Sequence, residues 1–336
     1  MEYGAIDLHK RYTWIRLVTA AGEVTFERRI PTTRAHLRTV FEGRPHTRVL
    51  IESSTESEWV AQTIEAYGHE VVVASPGYAL MYGHRDPHIK TDRRDVAALA
   101  EACRLGIYRR AHRVCAAQRR RRRALKVREI LVRQRTALIN LLRAELRQDG
   151  LRLPSCSAEA VARQYRGVSA SEELAEDLGP VVAALEDMND AIAASTAGLT
   201  AVAAADPIVR RLQTAPGVGP ITGLTFRAVL DDVGRFGDAR GVAAYLGLVP
   251  KEDSSGSRKR RGAITKAGPS GLRVLLIQAS WVIWRQRKSG GALYAWVERL
   301  AARRGKRIAV VALARRLARI LYAMWRDGQD YRVQPA

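Results

Sequence analysis

Cysteine is scarce in this sequence, and its three cysteines, Cys103, Cys115 and Cys156, form no C-x-x-C pair. This argues against a disulfide-stabilised domain and against a cysteine-based zinc site. The first residues lack a basic segment followed by an apolar one, so no signal peptide is expected. No uninterrupted apolar run approaches the length of about 18 residues that a membrane span needs. The sequence therefore predicts a reduced cytoplasmic protein.

Acidic residues are also few: 34 Asp and Glu stand against 56 Lys and Arg, which gives a net charge of +22 over 336 residues. Such an excess favours a polyanionic partner, because clustered cations release the counterions condensed on phosphates. Hydrophobic residues make up 47% of the chain, too many for a disordered basic tail. The charge is therefore carried by folded structure, and nucleic acid is a better partner than a membrane surface.

Residues 1–108 have the pattern of an α/β domain with the element order β-β-β-α-β-α-β-α. The first three strands are separated by short hairpin connections, and the fourth, residues 48–51, is a continuous apolar run typical of a buried strand. The last helix is expected from Asp92 to about Leu105, with Thr91 as its N-cap. This order predicts a mixed sheet whose first three strands are antiparallel.

The composition changes near residue 109, where a long basic helix is predicted over residues 109–152. A heptad pattern of apolar residues, interrupted by one serine, follows over residues 181–202. Two long helices separated by a turn predict either an antiparallel hairpin within the chain or a coiled coil with another copy, and both remain open. Residues 109–206 therefore form the predicted middle segment, and residues 207–336 a mainly helical C-terminal domain.

Four acids of the first domain, Asp7, Glu52, Asp92 and Asp95, occur at positions that could converge. Asp7 lies in the first strand and Glu52 closes the fourth, so a sheet with these strands adjacent places them side by side. Asp92 and Asp95 are three residues apart on one helix face. Four carboxylates this close need neutralising, and one or two Mg²⁺ or Mn²⁺ ions would do so while clamping the oxygens of a phosphodiester.

Each acid taken alone has an ordinary explanation as a solvated or helix-capping group. The prediction of a metal site therefore depends on all four occurring in this order on these elements. Glu56 and Glu58 are ranked lower because they fall beyond the strand end, and Asp86 because it precedes a proline in a loop.

Three segments, residues 4–10 (GAIDLHK), 51–54 (IESS) and 90–99 (KTDRRDVAAL), resemble the motif of the DEDD transposases of the IS110 insertion-sequence family. The resemblance implies a RuvC-like, ribonuclease H-like N-terminal domain in which the four acids bind metal. The sequence departs from the family after Glu52, where residues 55–59 (TESEW) replace the usual Thr-Gly and aromatic residue.

A second candidate site lies in the C-terminal domain. Gly217 and Gly219 precede a predicted helix, so their backbone N–H groups could bind a phosphate as in helix-hairpin-helix modules, although two glycines are as often only a tight turn. Residues 254–262 are predicted to form a mobile hydroxyl-rich loop flanked by cations. From its chemistry this loop would bind phosphate or stay solvated, since no histidine lies nearby to activate a serine.

The family resemblance extends to this region through residues 216–219 (PGVG), 245–248 (YLGL) and Gly268. It implies that the serine preceding a glycine, Ser255, is a covalent nucleophile, with Ser254 as the alternative and Ser257 less favoured. It also implies a structured non-coding bridge RNA that pairs with donor and target DNA, association with the bacterial nucleoid, and a homo-oligomer (dimer or tetramer) whose metal site and serine could come from different subunits.

Basic residues are the candidates for contact with the nucleic-acid backbone. Five consecutive arginines on a helix repel one another, which a polyanion would relieve, although a solvated face is the ordinary alternative. The candidates are Arg119, Arg120, Arg121, Arg122, Arg123, Arg258, Lys259, Arg260, Arg261 and Lys266, and the Arg-rich end of the chain over residues 285–326.

The sequence therefore predicts an RNA-guided DNA transposase or recombinase with a phosphoserine–DNA intermediate. One alternative is a metal-dependent nuclease of the Holliday-junction type, which uses water in place of the serine. The other is an inactive nucleic-acid-binding protein descended from such an enzyme, although the presence of all four acids and the Ser-Gly step argues against it.

Overall fold

The computed structural model of the chain describes residues 1–83, 91–255, 258–286 and 291–332, and for residues 253–261 it describes no side chain. The chain divides into two compact units, residues 1–113 and residues 114–336. The three-part division expected from the sequence stays a prediction. The two units are described separately below.

A five-stranded mixed sheet forms the centre of the first unit. Its strands, in chain order, are β1 (Glu2–Leu8), β2 (Tyr12–Val18), β3 (Val24–Pro31), β4 (Thr47–Glu52) and β5 (Glu70–Ala74). The spatial order is β3-β2-β1-β4-β5, with β1 antiparallel to β2 and parallel to β4. The predicted mixed sheet with three antiparallel strands is confirmed, and this topology is consistent with a ribonuclease H-like domain.

Helices cover both faces of this sheet. They are α1 (Arg34–Phe41), α2 (Ser57–Glu65) and α3 (Asp92–Leu105). Because successive side chains of a strand point to opposite faces, Ile6 and Ile51 lie in the core shared with α1 and α2. Ala5 and Leu50 lie in the opposite core, beneath α3.

Helix α3 begins and ends as the sequence predicts. The Thr91 side chain accepts a hydrogen bond from the Arg94 backbone N–H, which satisfies a donor of the first turn. The helix ends at Gly106, whose φ of +73° is a conformation that glycine adopts at little cost. The N-terminus of α3 is therefore fixed by its own sequence.

The second unit is mainly helical, with one antiparallel hairpin. Its elements are α4 (Ala116–Gln148), α5 (Val161–Tyr165), α6 (Glu172–Ala205), α7 (Pro207–Leu212), α8 (Pro220–Leu230), α9 (Ala239–Tyr245), β6 (Pro250–Ser255), β7 (Arg258–Ile264), α10 (Ser270–Arg285), α11 (Gly291–Arg304) and α12 (Lys306–Asp327). Among the described residues, no helix is both long and apolar enough to cross a membrane.

The heptad pattern of α6 packs within the chain. Leu185 shares a hydrophobic core with Leu142 and Leu146 near the end of α4, and Leu199 shares another with Leu125 near its start. The two long helices therefore run antiparallel, which is the first of the two arrangements that the sequence left open. A coiled coil with another copy is not confirmed.

The loop expected over residues 254–262 is wrong for the residues that the structure describes there, 254–255 and 258–262, which lie in strands. Strands β6 and β7 form an antiparallel hairpin in which Ser255 pairs with Arg258 and Pro250 with Ile264. The sequence signal that was overlooked is the Gly256-Ser257 dipeptide, a pair that favours a two-residue hairpin connection.

Two glycines bring the segments at the base of this hairpin together. Gly247 and Gly268 have φ values of +64° and +68°. A Cβ on Gly268 would overlap the carbonyl oxygen of Tyr245, so the segments approach closely only because the side chain is absent. Arg273 connects the same segments by donating to the carbonyl oxygens of Leu246, at 3.0 Å, and Ala267, at 2.9 Å.

Substitution of Gly268 tests this close approach. Gly268→Ala is expected to lower the free energy of unfolding by at least about 3 kcal/mol, because left-handed strain adds to a clash with rigid backbone. Gly328 is the matched control: its φ is +65°, and a Cβ there would meet nothing within 4 Å. Gly328→Ala should cost only about 1 kcal/mol. Equal losses for the two variants in urea unfolding would contradict the proposed packing.

Candidate functional site

Asp7 and Glu52 lie at the ends of two adjacent parallel strands. Ile6 pairs with Ile51 in the β1–β4 register, so the next residue of each strand reaches the same edge of the sheet. Alternation along the strands puts Asp7 on the same face as Ala5, and Glu52 on the same face as Leu50. Both acids therefore lie on the face that α3 covers.

The first turn of α3 supplies the other two acids. The Asp95 residue is only 9% exposed, whereas the Asp92 side chain is 56% exposed. Arg93, between them, donates to the carboxylate of Glu27 on β3, and Arg16 on β2 donates to the same carboxylate. This shared acceptor ties the start of α3 to the sheet.

Asp7 and Asp92 meet around a histidine that follows β1. The Nε2 atom of His9 lies 3.3 Å from Oδ2 of Asp7 and 3.5 Å from Oδ2 of Asp92. One potential ligand atom from each of these three residues lies within 4.8 Å of the other two. The strand edge and the helix start thus contribute to one cluster.

The surroundings of Asp7 raise the pKa of its carboxyl group. Burial raises the pKa of Asp7, and the nearby charges of Asp92 and Asp95 raise it further, while His9 opposes them. The net pKa is above the ordinary value of 3.8. The charged form of Asp7 is therefore destabilised by its surroundings.

Glu52 forms a hydrogen bond with Tyr82, on which Asp95 and Asp7 also act. Burial and a hydrogen bond with the Glu52 side chain are the two largest effects that raise the pKa of the Tyr82 phenol, and the charges of Asp95 and Asp7 add to them. Tyr82 consequently stays protonated and can donate to Glu52. All four predicted acids thus act electrostatically on groups of the same region.

This arrangement suits a hard divalent cation. Carboxylate oxygens are the ligands that Mg²⁺ and Mn²⁺ prefer, and a cation would offset the burial and the neighbouring charges that raise the pKa of Asp7. The capping explanation for Asp92 and Asp95 is weakened, because Thr91 is the residue that caps α3. The individual roles of the four acids as ligands stay predictions.

The acids that were ranked lower have other partners. Glu58 accepts hydrogen bonds from Arg113, with Nε at 3.1 Å, and Glu56 accepts one from the indole N–H of Trp59. Asp86 lies outside the described residues.

His9 and Tyr82 are two further residues of this region to which the sequence pattern assigned no role. His9 lies inside the segment GAIDLHK, two residues after Asp7 and directly after β1, and this position was the available signal. Tyr82 lies in a short 3-10 turn that no sequence pattern connected with Glu52.

Two members of the run of five arginines contact acceptors within the second unit. Arg122 donates to the carbonyl oxygens of Ala228, at 2.8 Å, and Val229, at 2.6 Å, near the end of α8. Arg121 forms an ion pair with Asp206, at 2.7 Å. Both side chains therefore contribute to the fold of the second unit, and their contact with nucleic acid stays a prediction.

The remaining members of the run differ in their surroundings. Arg119 donates to the carbonyl oxygen of Val114, whereas Arg120 and Arg123 are exposed. The five arginines therefore differ in exposure and in partners. Contact of Arg120 and Arg123 with nucleic acid stays a prediction.

Other arginines of α4 also contact residues within the second unit. Arg121, Arg128 and Arg135 are spaced by seven residues and face α6 and its end. Arg128 donates to Oγ1 of Thr196, at 2.7 Å, and Arg135 donates to Oδ1 of Asn189, at 2.9 Å. A row of polar contacts at heptad spacing therefore accompanies the apolar contacts between the two long helices.

Gly217 has a structural reason to be glycine. Its φ is +74°, and a Cβ there would approach the carbonyl oxygen of Ala279 on α10. Gly219 is the N-cap of α8, which begins with Pro220. Binding of phosphate at these glycines stays a prediction.

The other predicted residues of this unit are only partly described. Lys266 is exposed, with a φ of +57°, and its backbone N–H donates to the carbonyl oxygen of Gly247 at 3.1 Å. Ser257 lies outside the described residues. So do the side chains of Ser254, Ser255, Arg258, Lys259, Arg260 and Arg261.

Two transposase families match this sequence. Residues 5–149 match the DEDD transposases of the IS110 type, and residues 209–295 match the transposase IS116/IS110/IS902 family. The transposase for insertion sequence element IS1111A of Coxiella burnetii is 30% identical, over 97% of this chain and 90% of the relative. The transposase for insertion sequence element IS1328 of Yersinia enterocolitica is 27% identical, over 96% of each chain.

Paired substitutions distinguish arginines that hold the fold from arginines that are available to a ligand. Arg122→Ala should lower the free energy of unfolding by about 1–3 kcal/mol, because two carbonyl oxygens lose a charged donor. Arg123→Ala, at the exposed neighbouring position, should change it by less than about 0.5 kcal/mol. Chemical denaturation monitored by circular dichroism measures both. An Arg122→Ala variant as stable as the wild type would contradict the internal role.

Proposed function

The chain belongs to the IS116/IS110/IS902 family of insertion-sequence DNA transposases, and we propose that it cleaves and rejoins DNA with two sets of side chains. The acids Asp7, Glu52, Asp92 and Asp95 hold Mg²⁺ or Mn²⁺. Ser255 is the nucleophile. The single observation that supports the metal site is the meeting of Asp7 and Asp92 within one cluster, from a strand edge and a helix that are distant in sequence.

The acids have a defined task in this proposal. A bound cation supplies Lewis acidity to the oxygens of the phosphodiester. The raised pKa of Asp7, caused first by burial and then by the neighbouring acids, supports a bound cation at this position. Tyr82 orients Glu52 by donating to its carboxylate, and the anchoring of Arg93 on Glu27 keeps Asp92 and Asp95 near the strand edge.

The serine step conserves the energy of the phosphodiester. The hydroxyl oxygen of Ser255 forms a bond to phosphorus while the bond from phosphorus to one deoxyribose oxygen breaks, and the serine proton ends on that leaving hydroxyl. A second DNA hydroxyl then attacks the phosphoserine, restoring the serine and a phosphodiester. The family resemblance supports this assignment, as does the end of β6 at Ser255, next to the hairpin connection.

Guidance by a structured bridge RNA is part of the proposal, with donor and target DNA as the other ligands and a homo-oligomer as the working form. The net charge of +22 supports contact with several phosphate backbones. Two kinds of cation support this contact with phosphate: those that are exposed, and those whose side chains lie outside the described part of the structure. They are Arg120, Arg123, Arg258, Lys259, Arg260, Arg261 and Lys266.

Loss of one acid should stop cleavage without preventing DNA binding. Asp92→Asn keeps the size of this exposed side chain and should reduce the rate of DNA cleavage in Mg²⁺ by about a thousandfold, or about 4 kcal/mol of transition-state stabilisation. Glu23→Gln, an exposed acid in the β2–β3 connection, is the control and should cleave normally. Cleavage by Asp92→Asn at the rate of the control would contradict the assignment of Asp92.

The nucleophile is tested by asking whether the protein becomes covalently attached to the cleaved DNA end. Wild-type protein should become covalently attached to DNA through phosphoserine, visible as a slowly migrating band on a denaturing gel. Ser255→Ala should give no such band, whereas Ser254→Ala should still form it. If Ser255→Ala cleaves DNA as the wild type does, with no adduct in either reaction, a water-using nuclease is the correct mechanism.

A further inference from the structure

His9 lies where it can share a cation with two of the acids, and we propose that it is a metal ligand together with Asp7 and Asp92. The proposal rests on the metal site described under the proposed function and extends it to a nitrogen ligand. The assigned site would then contain one imidazole among its carboxylates.

The spacing of the ligand atoms supports a shared cation. In an octahedral site with metal–ligand distances of about 2.1 Å, neighbouring ligand atoms are about 3 Å apart. The Nε2 atom of His9 is 3.3 Å from Asp7 and 3.5 Å from Asp92, measured to Oδ2 of each. Both separations are close to those of adjacent positions around one ion.

The backbone around His9 is held by contacts that do not involve the acids' side chains. The carbonyl oxygen of His9 accepts a hydrogen bond from Oγ1 of Thr32, at 2.8 Å, and the backbone N–H of Thr32 donates to the carbonyl oxygen of Arg11. The carbonyl oxygen of Asp7 accepts from Oγ1 of Thr13, also at 2.8 Å. The β1–β2 connection therefore presents His9 and Asp7 in a fixed relation.

A cation can reach this position from solvent. The side chains of His9 and Asp92 are 53% and 56% exposed. Both line a cavity of about 180 Å³, whose wall also contains Arg11, Trp14 and Arg29. The cavity leaves room for water or a phosphate oxygen next to His9 and Asp92, as an exchangeable catalytic ion requires.

A nitrogen ligand changes the preference for the metal. Mg²⁺ binds almost entirely through oxygen, whereas Mn²⁺ accepts imidazole more readily and binds nitrogen sites more tightly. Loss of His9 should therefore weaken Mn²⁺ binding by about tenfold and Mg²⁺ binding by less. This difference in selectivity would not arise if His9 only stabilised the fold.

The experiment uses the full-length protein with Mn²⁺ alone as the probe. Pulsed electron paramagnetic resonance should detect coupling of the Mn²⁺ electron spin to a ¹⁴N nucleus in the wild type. The coupling should be absent in His9→Gln, with Mn²⁺ still bound through the carboxylates. His36→Gln, at an exposed position of α1, is the matched control and should keep the coupling, and His9→Ala repeats the test if His9→Gln is unstable.

The possible results separate this inference from the metal site itself. An identical ¹⁴N signal in wild type and in the folded His9 variant would overturn the inference. A wild type that binds Mn²⁺ without ¹⁴N coupling, and loses Mn²⁺ on Asp7→Asn, would overturn it while supporting the proposed acids. A wild type that binds no Mn²⁺, with or without DNA, would overturn both.

Discussion

The parallel pairing of β1 with β4 is the constraint on which the first unit depends. It joins two strands that are distant in sequence, and the register of Ile6 with Ile51 brings the next two residues, both acids, to one edge of the sheet. Helix α3 packs across the same strands, so its first turn reaches that edge as well. The site is therefore a consequence of topology, and any slip of this register by one residue would turn the acids to the opposite face.

In a protein with a net charge of +22, the charges of an acidic cluster must still be balanced by groups close to them. Burial and repulsion by the neighbouring acids raise the pKa of Asp7, and a bound cation would lower it. Some of the positive side chains are likewise bound to acceptors close to them. Arg121 and Arg122 are bound to acceptors within the second unit, so part of the arginine content contributes to the fold.

The sequence predicted those features that depend on local pattern. The order of strands and helices along the first unit followed from local patterns, and the start of α3 followed from its N-cap, Thr91. Features that depend on long-range packing could not be predicted. The partners of Arg122 are carbonyl oxygens about a hundred residues away, and Tyr82 reaches Glu52 only through the fold. The β6–β7 hairpin was missed because its hydroxyl-rich composition resembles that of a loop.

The central claim is that the edge of the sheet where β1 and β4 end is a binding site for divalent cations. The most direct measurement is anomalous X-ray diffraction at the manganese edge, from crystals of the protein grown with Mn²⁺ and DNA. The account predicts an anomalous peak within ligand distance of Asp7 and Asp92. Manganese bound elsewhere, with no peak between these two carboxylates, would contradict it.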